Sequence, residues 1–226
     1  MKEEQSRKEL LEEPDPFLEF VGTLLAFAKK YQKQIMVSVG AVVVVAIVIT
    51  GVVYFKNQSE DRAAMMLGKT MAKYNAIKKD ESAFIAYEDV KTRFKNISEK
   101  YGSTGAGKAA LLQYADVCYL TKNYDDAIKI YNQALEALGK TEFKTLILSG
   151  LAYSYEGKED YEQAAKYFEM ITSDDAAVMK DQALFNLGLL YDKLGKPEQE
   201  KEAFSKLVSD FPESMYFDLA SEKIAG

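Results

Sequence analysis

Residues 181–212 read DQALFNLGLLYDKLGKPEQEKEAFSKLVSDFP, in which apolar and small residues recur at helical spacing. With Asp181 counted as position 1, positions 4, 7, 8, 11, 24 and 32 hold Leu184, Leu187, Gly188, Tyr191, Phe204 and Pro212. A small residue such as Gly188 lets two helices approach, while rings such as Tyr191 and Phe204 fill the space between them. The stretch therefore predicts one helix pair of a repeating structure.

The same positions recur twice upstream. The unit starting at Thr145 supplies Leu148, Leu151, Ala152, Tyr155, Tyr161, Ala164 and Phe168, and the unit starting at Lys108 supplies Leu111, Ala115, Tyr124, Ala127, Tyr131 and Ala134. Position 20 is alanine in both of these units, whereas the third unit places Glu200 there. Three concordant copies predict an all-α solenoid in which each helix pair buries its apolar face on the next.

The sequence on either side of the three units also has helical character. Residues 59–79 and 82–100 alternate apolar and charged positions with helical period, which predicts a degenerate first pair over 59–100. Beyond Pro212, residues 213–225 predict a capping helix that covers the last pair. The predicted repeat domain therefore covers residues 57–226, with about three to four helix pairs.

The segment from Ile35 to Phe55 reads IMVSVGAVVVVAIVITGVVYF, 21 residues without a charge. As a helix it spans about 30 Å, which matches the thickness of a bilayer core. A cleaved signal peptide fits less well, because the apolar run is long, begins deep in the chain and lacks an Ala-x-Ala site before Lys56. The sequence predicts a transmembrane helix over 35–55, with a buried core helix or strand pair as the alternative.

Basic residues flank this segment unequally. Lys29, Lys30 and Lys33 precede it, whereas only Lys56 lies as close on the other side. The positive-inside rule therefore predicts a cytoplasmic N-terminus and an outer repeat domain. Within the cytoplasmic tail of residues 1–34, Asp15-Pro16 predicts an N-cap and first turn of an amphipathic juxtamembrane helix.

Composition excludes several functions. The chain has no histidine, which removes Ser-His-Asp triads, Cys-His pairs and histidine-based zinc sites, and we expect no cofactor and no metal. Acidic and basic residues are interleaved with a formal net charge of −6, so nucleic acid is not an expected partner.

Cys118 is expected to be a small core residue. A hydrolase using the acid pairs Asp125-Asp126 or Asp174-Asp175 is a remote alternative, because acids at helix starts stabilise the helix dipole.

The repeat positions resemble those of the tetratricopeptide family, whose stacked helix pairs bind peptides or partner helices on a concave face. In that family the face is lined by positions 2, 5, 9 and 12 of the first helix in each pair. Carried over to this chain, the resemblance implies a partner-binding groove of mixed aromatic and acidic character. Its predicted residues are Leu112, Asp116, Tyr119, Ser149, Tyr153, Glu156, Phe185, Leu189 and Asp192.

A short tail with the juxtamembrane segment Asp-Pro-Phe-Leu-Glu-Phe, one span and an outer repeat domain together resemble the YfgM-like proteins of bacterial inner membranes. That resemblance implies an ancillary role at the Sec translocon, with a periplasmic membrane-anchored chaperone as a further partner. The segment Phe211–Tyr216 also resembles the inter-repeat turn of outer-membrane assembly lipoproteins of the BamD type. We expect a protein interaction module rather than an enzyme: a periplasmic scaffold or chaperone-like adaptor, or alternatively a structural tether of an envelope complex.

Overall fold

The structure, a computed structural model, describes residues 16–80 and 82–225. These residues form ten α-helices and no strand, which confirms the predicted all-α fold. The helices are α1 Pro16–Lys30, α2 Gln32–Asp80, α3 Ala83–Tyr101, α4 Gly105–Leu120, α5 Tyr124–Leu138, α6 Lys144–Gly157, α7 Tyr161–Thr172, α8 Lys180–Lys193, α9 Pro197–Asp210 and α10 Phe217–Ala225. The chain divides into two compact units, Met1–Lys56 and Asn57–Gly226.

In the first unit, α1 begins at Pro16, where a proline costs nothing because the first-turn N–H groups have no helical partner. The predicted N-cap Asp15 lies outside the described residues. Large apolar side chains of α1, including Phe20 and Leu25, are about two-thirds exposed. Lys29 and Lys30 lie in the last turn, where positive charge is favoured by the helix dipole.

Helix α2 contains an 18-residue window of mean hydropathy 2.8, none of it buried. By length and composition it is suited to cross a membrane. Two separate helices were predicted over residues 35–55 and 59–79, but both ranges lie in this one helix. No proline interrupts residues 32–80, so the backbone hydrogen bonds continue through the polar stretch after Phe55.

The second unit contains three successive helix pairs, α4 with α5, α6 with α7, and α8 with α9, while buried residues of α3 and of the later part of α2 belong to the same core as α4 and α5. The three pairs share one turn geometry. Position 15 adopts a left-handed conformation in each, at Lys122 (φ 61°), Glu159 (φ 62°) and Gly195 (φ 65°). In each pair the N–H of the following residue donates to the carbonyl at position 11, over 2.8–3.0 Å. The repeat seen in sequence is therefore a repeat in backbone geometry.

Each pair buries a small residue at position 8 and a ring at position 24. Ala115 and Ala152 are inaccessible, and the rings Tyr131, Phe168 and Phe204 are at most 3% exposed. In the third pair the two positions meet at buried Gly188, where an added Cβ would lie 2.5 Å from Cζ of Phe204. No side chain is tolerated at that distance without displacing the ring or the helix, so glycine is what permits this crossing.

Glu60 connects α2 to the start of α4 through two hydrogen bonds. Its two carboxylate oxygens accept hydrogen bonds from the N–H groups of Gly105 and Ala106, both over 2.7 Å. These are orphan donors of the first turn of α4, and a carboxylate there also meets the positive end of the helix dipole. Thr104 caps the same helix by accepting from the N–H of Gly107 at 3.0 Å.

The C-terminal helix begins later than the sequence predicted. Residues 213–216 form turns, and α10 starts at Phe217 instead of at residue 213. The turn is held because the Ser214 hydroxyl donates to Asp181 over 2.6 Å and accepts from the N–H of Tyr216. Ala220 of α10 is fully buried in one apolar cluster with Leu184, Phe204 and Leu207 of the last pair.

Candidate functional site

The nine positions predicted to bind a partner lie on α4, α6 and α8, and we refer to them as the first-helix face. Leu112 is 8% exposed and belongs to the core, so it offers little surface. Asp192 is exposed. The remaining seven are half-buried: Asp116, Tyr119, Ser149, Tyr153, Glu156, Phe185 and Leu189. Most of the face thus has the partial exposure that a contact surface requires.

A continuous set of rings runs across the first two repeats of this face. The centroid of Tyr119 lies 6.4 Å from that of Tyr153 and 6.0 Å from that of Tyr124. Tyr153 in turn meets the buried ring of Phe168 edge-on at 5.3 Å. Rings in such tilted contacts are held in place by each other and present their remaining edges to a partner.

Tyr153 also connects α6 to α8. Its hydroxyl oxygen accepts hydrogen bonds from the side-chain amides of Gln182 (3.1 Å) and Asn186 (3.0 Å). Burial raises the pKa of the Tyr153 hydroxyl, which keeps it neutral. Gln182 and Asn186 were missed by the sequence analysis, because nothing in the repeat pattern marks a polar residue that bridges two units.

The acids of the face have defined partners. Tyr131 donates its hydroxyl to Asp116 over 2.5 Å, and burial raises the pKa of the Asp116 carboxyl although this hydrogen bond opposes the shift. Glu156 pairs with Lys193 at 2.8 Å, and Asp192 lies 3.9 Å from Lys223. The face therefore combines immobilised rings with carboxylates, two of which are already in contact with lysines.

At the C-terminal end of the face, the ring of Phe185 is stacked on Tyr216, with centroids 4.8 Å apart and planes inclined by 20°. The ring of Phe204 also packs against that of Phe185, with centroids 5.8 Å apart. Tyr216 belongs to the turn before α10, so the cap contributes directly to the position of Phe185. The repeat pattern predicted only that the cap covers the last pair.

The acid pairs considered for a hydrolase each have a structural partner. Asp125 pairs with Lys158, and Asp126 accepts from the hydroxyl of Tyr87 over 2.8 Å. Asp174 accepts from Lys144 over 2.6 Å, and this lysine holds the pKa of the Asp174 carboxyl below its usual value. The lysine keeps Asp174 ionised, which suits an ion pair rather than a general acid.

Cys118 is fully buried in α4, and burial raises the pKa of its thiol to about 12. Such a thiol is protonated at neutral pH and is not a nucleophile. Among residues 16–80 and 82–225, no three acidic or cysteine side chains are grouped closely enough to hold a metal ion.

Two family models match the chain, both described as tetratricopeptide repeat, over residues 107–173 and 182–214. The chain contains tetratricopeptide repeats. The matched residues begin at α4 and run through α9, and the turns at position 15 fall inside them. Helical repeats of this type form surfaces that bind proteins or peptides, and neither model describes a catalytic family.

Solved structures give the same fold. A tetratricopeptide repeat protein from Parabacteroides merdae superposes with a TM-score of 0.54 at 18% identity, over 71% of this chain and 59% of its own. PilF of Pseudomonas aeruginosa gives 0.50 at 19% identity, over 75% and 68%. A putative kinesin light chain repeat protein from Podosopora anserina gives 0.52 at 13%, over 70% and 83%. Likeness at these identities shows the fold alone.

No curated protein sequence matches the chain. This chain spans only 59% of the length of the Parabacteroides protein. The tetratricopeptide repeats therefore establish a module for contacts with other proteins, and the choice of partner has to be argued from this chain's own surface.

Proposed function

We propose that this protein is a membrane-anchored interaction module whose tetratricopeptide repeats act as a periplasmic scaffold or chaperone-like adaptor. The observation that carries the proposal is the first-helix face, where Tyr119, Tyr153 and Phe185 are half-buried beside carboxylates. Aromatic side chains offer a large contact area at low entropic cost, and acids beside them favour basic partners. The partner is a protein segment with apolar anchors and some Lys or Arg.

The anchor in this proposal is residues 35–55, and its orientation follows from charge. The segment is uncharged and its side chains are exposed, with Val45 and Ile49 both more than half accessible. Lys29, Lys30 and Lys33 precede it, so the N-terminus is cytoplasmic and the repeats are periplasmic. The membrane is the inner membrane of a bacterium.

The association with protein translocation or envelope assembly rests on the resemblance to the YfgM-like proteins. On that basis the partners are the Sec translocon and a membrane-anchored periplasmic chaperone. A structural tether of an envelope complex uses the same face, but it holds one fixed partner instead of many chains in transit. No chemistry on a substrate is required in either case.

Topology is tested by protease treatment of spheroplasts. A protease outside the inner membrane should remove residues 57–226 and leave a fragment that contains the first 56 residues. Loss of only the first 34 residues would reverse the orientation, and a periplasmic role would then be untenable.

The binding face is tested by photo-crosslinking in cells. Benzoylphenylalanine at Ser149 or Leu189 should give specific adducts, whereas the same group at the exposed Lys129 or Lys166 of the second helices should not. Many adducts with newly made chains indicate an adaptor, and one or two stoichiometric adducts indicate a tether. Equal labelling from both sets of positions would refute the first-helix face as the contact surface.

A further inference from the structure

A cavity of about 530 Å³ lies where α8, α9 and α10 meet. It is lined by Phe185 of α8, Glu200 of α9, and Leu219, Glu222 and Lys223 of α10. Only Phe185 belongs to the first-helix face. The cavity therefore extends that face onto the second helix of the last repeat and onto the cap.

The cavity lies at a position where the third repeat departs from the other two. Position 20 is Ala127 in the first repeat and Ala164 in the second, and both are fully buried. In the third repeat the position holds Glu200, which is only half-buried. A carboxylate without a partner is costly to bury, so this position stays open to solvent instead of being packed over.

Two of the lining residues, Phe185 and Leu219, are apolar. Phe185 is fixed between Tyr216 and Phe204, at centroid distances of 4.8 and 5.8 Å. Leu219 is 52% exposed although the next residue, Ala220, is fully buried. A partner side chain entering here would cover Leu219 and the free part of the Phe185 ring, which is favourable because both surfaces leave water.

The charges around the cavity favour a cation. Among the residues that the structure describes, neither Glu200 nor Glu222 has a lysine or arginine nitrogen within 4.0 Å. The one basic lining residue, Lys223, lies 3.9 Å from Asp192 on α8. The pocket thus has two carboxylates available and an ammonium group whose charge is already balanced in part.

We infer that this cavity binds an apolar side chain of a partner protein together with a neighbouring Lys or Arg. The apolar side chain rests against Phe185 and Leu219, and the cation lies between Glu200 and Glu222. The inference rests on the proposed function, since it makes the cavity one end of the partner-binding face. It assigns the cap helix a part in recognition.

The test uses the full chain in detergent micelles and a fluorescein-labelled peptide that contains a Leu-Arg pair flanked by Gly and Ser. Two matched peptides replace Arg with Gln or Leu with Ser, and empty micelles give the background. Fluorescence anisotropy should show binding of the Leu-Arg peptide that is at least about fivefold tighter than that of either matched peptide. Raising the salt concentration should reduce the difference made by Arg.

Variants of the lining residues test whether the peptide binds in the cavity. Glu200→Gln and Glu222→Gln keep the side-chain shape and should each weaken the Leu-Arg peptide by about fivefold. Glu198→Gln is the matched control, because this exposed acid lies in the first turn of the same helix but does not line the cavity. Unfolding midpoints of the variants should equal that of the parent chain, which separates recognition from folding.

A peptide with Lys in place of Arg gives an independent readout. Carbodiimide should join its amine to Glu200 or Glu222, and mass spectrometry of the digest identifies the carboxyl. No binding of the Leu-Arg peptide, unchanged affinity in the double Glu200→Gln, Glu222→Gln variant, or adducts elsewhere would each overturn the inference. Adducts from benzoylphenylalanine at Ser149 would then still support the interaction module, so the two proposals fail separately.

Discussion

The uncharged segment 35–55 and the repeat domain are both rich in apolar residues, yet they use them in opposite ways. Val45 and Ile49 of the segment are 56% and 57% exposed, whereas Ile147 and Leu151 of α6 are inaccessible. In the repeats, apolar positions alternate with polar ones at helical period, so each helix has a face to bury. The segment is apolar on every side and has no polar face to direct toward water, as expected of a helix surrounded by lipid.

Glycine shows the same contrast. A Cβ added to Gly40 or Gly51 would meet nothing within 4 Å, but one added to Gly150 would lie 2.3 Å from Cζ of Tyr131. The same residue type is therefore replaceable in one region and required in the other. Whether a glycine can be replaced depends on whether a second helix packs against it. Matched substitutions in the two regions can measure this difference in stability.

The largest expected effect comes from deleting a buried ring. Phe204→Ala removes a fully buried side chain and should lower the free energy of unfolding by about 3–5 kcal/mol. Phe55→Ala, at a ring that is 66% exposed, should leave the unfolding of the repeats unchanged. Thermal unfolding in detergent, followed by the near-ultraviolet circular dichroism of the tyrosines, compares the two. Similar losses of unfolding free energy from both substitutions would contradict the difference in packing between the two regions.

Overpacking should have the next largest effect. Gly188→Leu and Ala164→Leu each insert a side chain at a closed helix crossing and should cost about 1–3 kcal/mol. Gly51→Leu is the control, since its surroundings are open. The same unfolding measurement applies. A Gly188→Leu protein as stable as its parent would show that Phe204 and α9 can move away without loss.

A smaller effect is expected at the beginning of the repeat domain. Glu60→Ala leaves the N–H groups of Gly105 and Ala106 without their carboxylate and should cost about 1–2 kcal/mol. Hydrogen exchange at these two amides should accelerate, while amides in the middle of α8 should keep their rates. The exposed Glu136→Ala provides the control for loss of an acid. Unchanged exchange would mean that Glu60 does not hold α4.

The smallest effect depends on pH and concerns Asp116, whose pKa is raised mainly by burial. An acid with a folded-state pKa above its unfolded value stabilises the fold fully at pH below the unfolded value, and this contribution is lost as pH rises through the folded one. Asp116→Asn keeps an acceptor for Tyr131 and should therefore raise the unfolding midpoint at pH 7. The gain should shrink as pH falls toward 4. A gain that is constant with pH would exclude titration of Asp116 as its cause.

Much of the fold was accessible from the sequence because the repeat is a local property. Positions 8 and 24 recur sixteen residues apart in three units, so the pattern alone predicted that Gly188 and Phe204 lie close together. The start of α10 was placed four residues early. Nothing in residues 213–216 shows that Ser214 bonds to Asp181 or that Tyr216 stacks on Phe185.

The candidate site was only partly accessible. Position rules placed Tyr119 and Tyr153 on one face, and the structure brings their rings to 6.4 Å. The same rules placed Leu112 there, but its side chain is buried because it contributes to the core of its own repeat. Glu200 was visible as an exception to the pattern, although its consequence, an open cavity beside Leu219, was not.

The helical class, the helix pairs and the apolar segment follow from the sequence alone, since each depends on periodicity and composition within some forty residues. The contacts between successive helices of the repeat domain depend on the folded arrangement: Tyr153 with Gln182 and Asn186 across 29 and 33 residues, and Glu60 with the start of α4 across 45. Such contacts are made by single polar residues that do not recur at a fixed spacing in the sequence. They form only after stacking of the helix pairs has set the distances between them, and a one-dimensional pattern does not contain those distances.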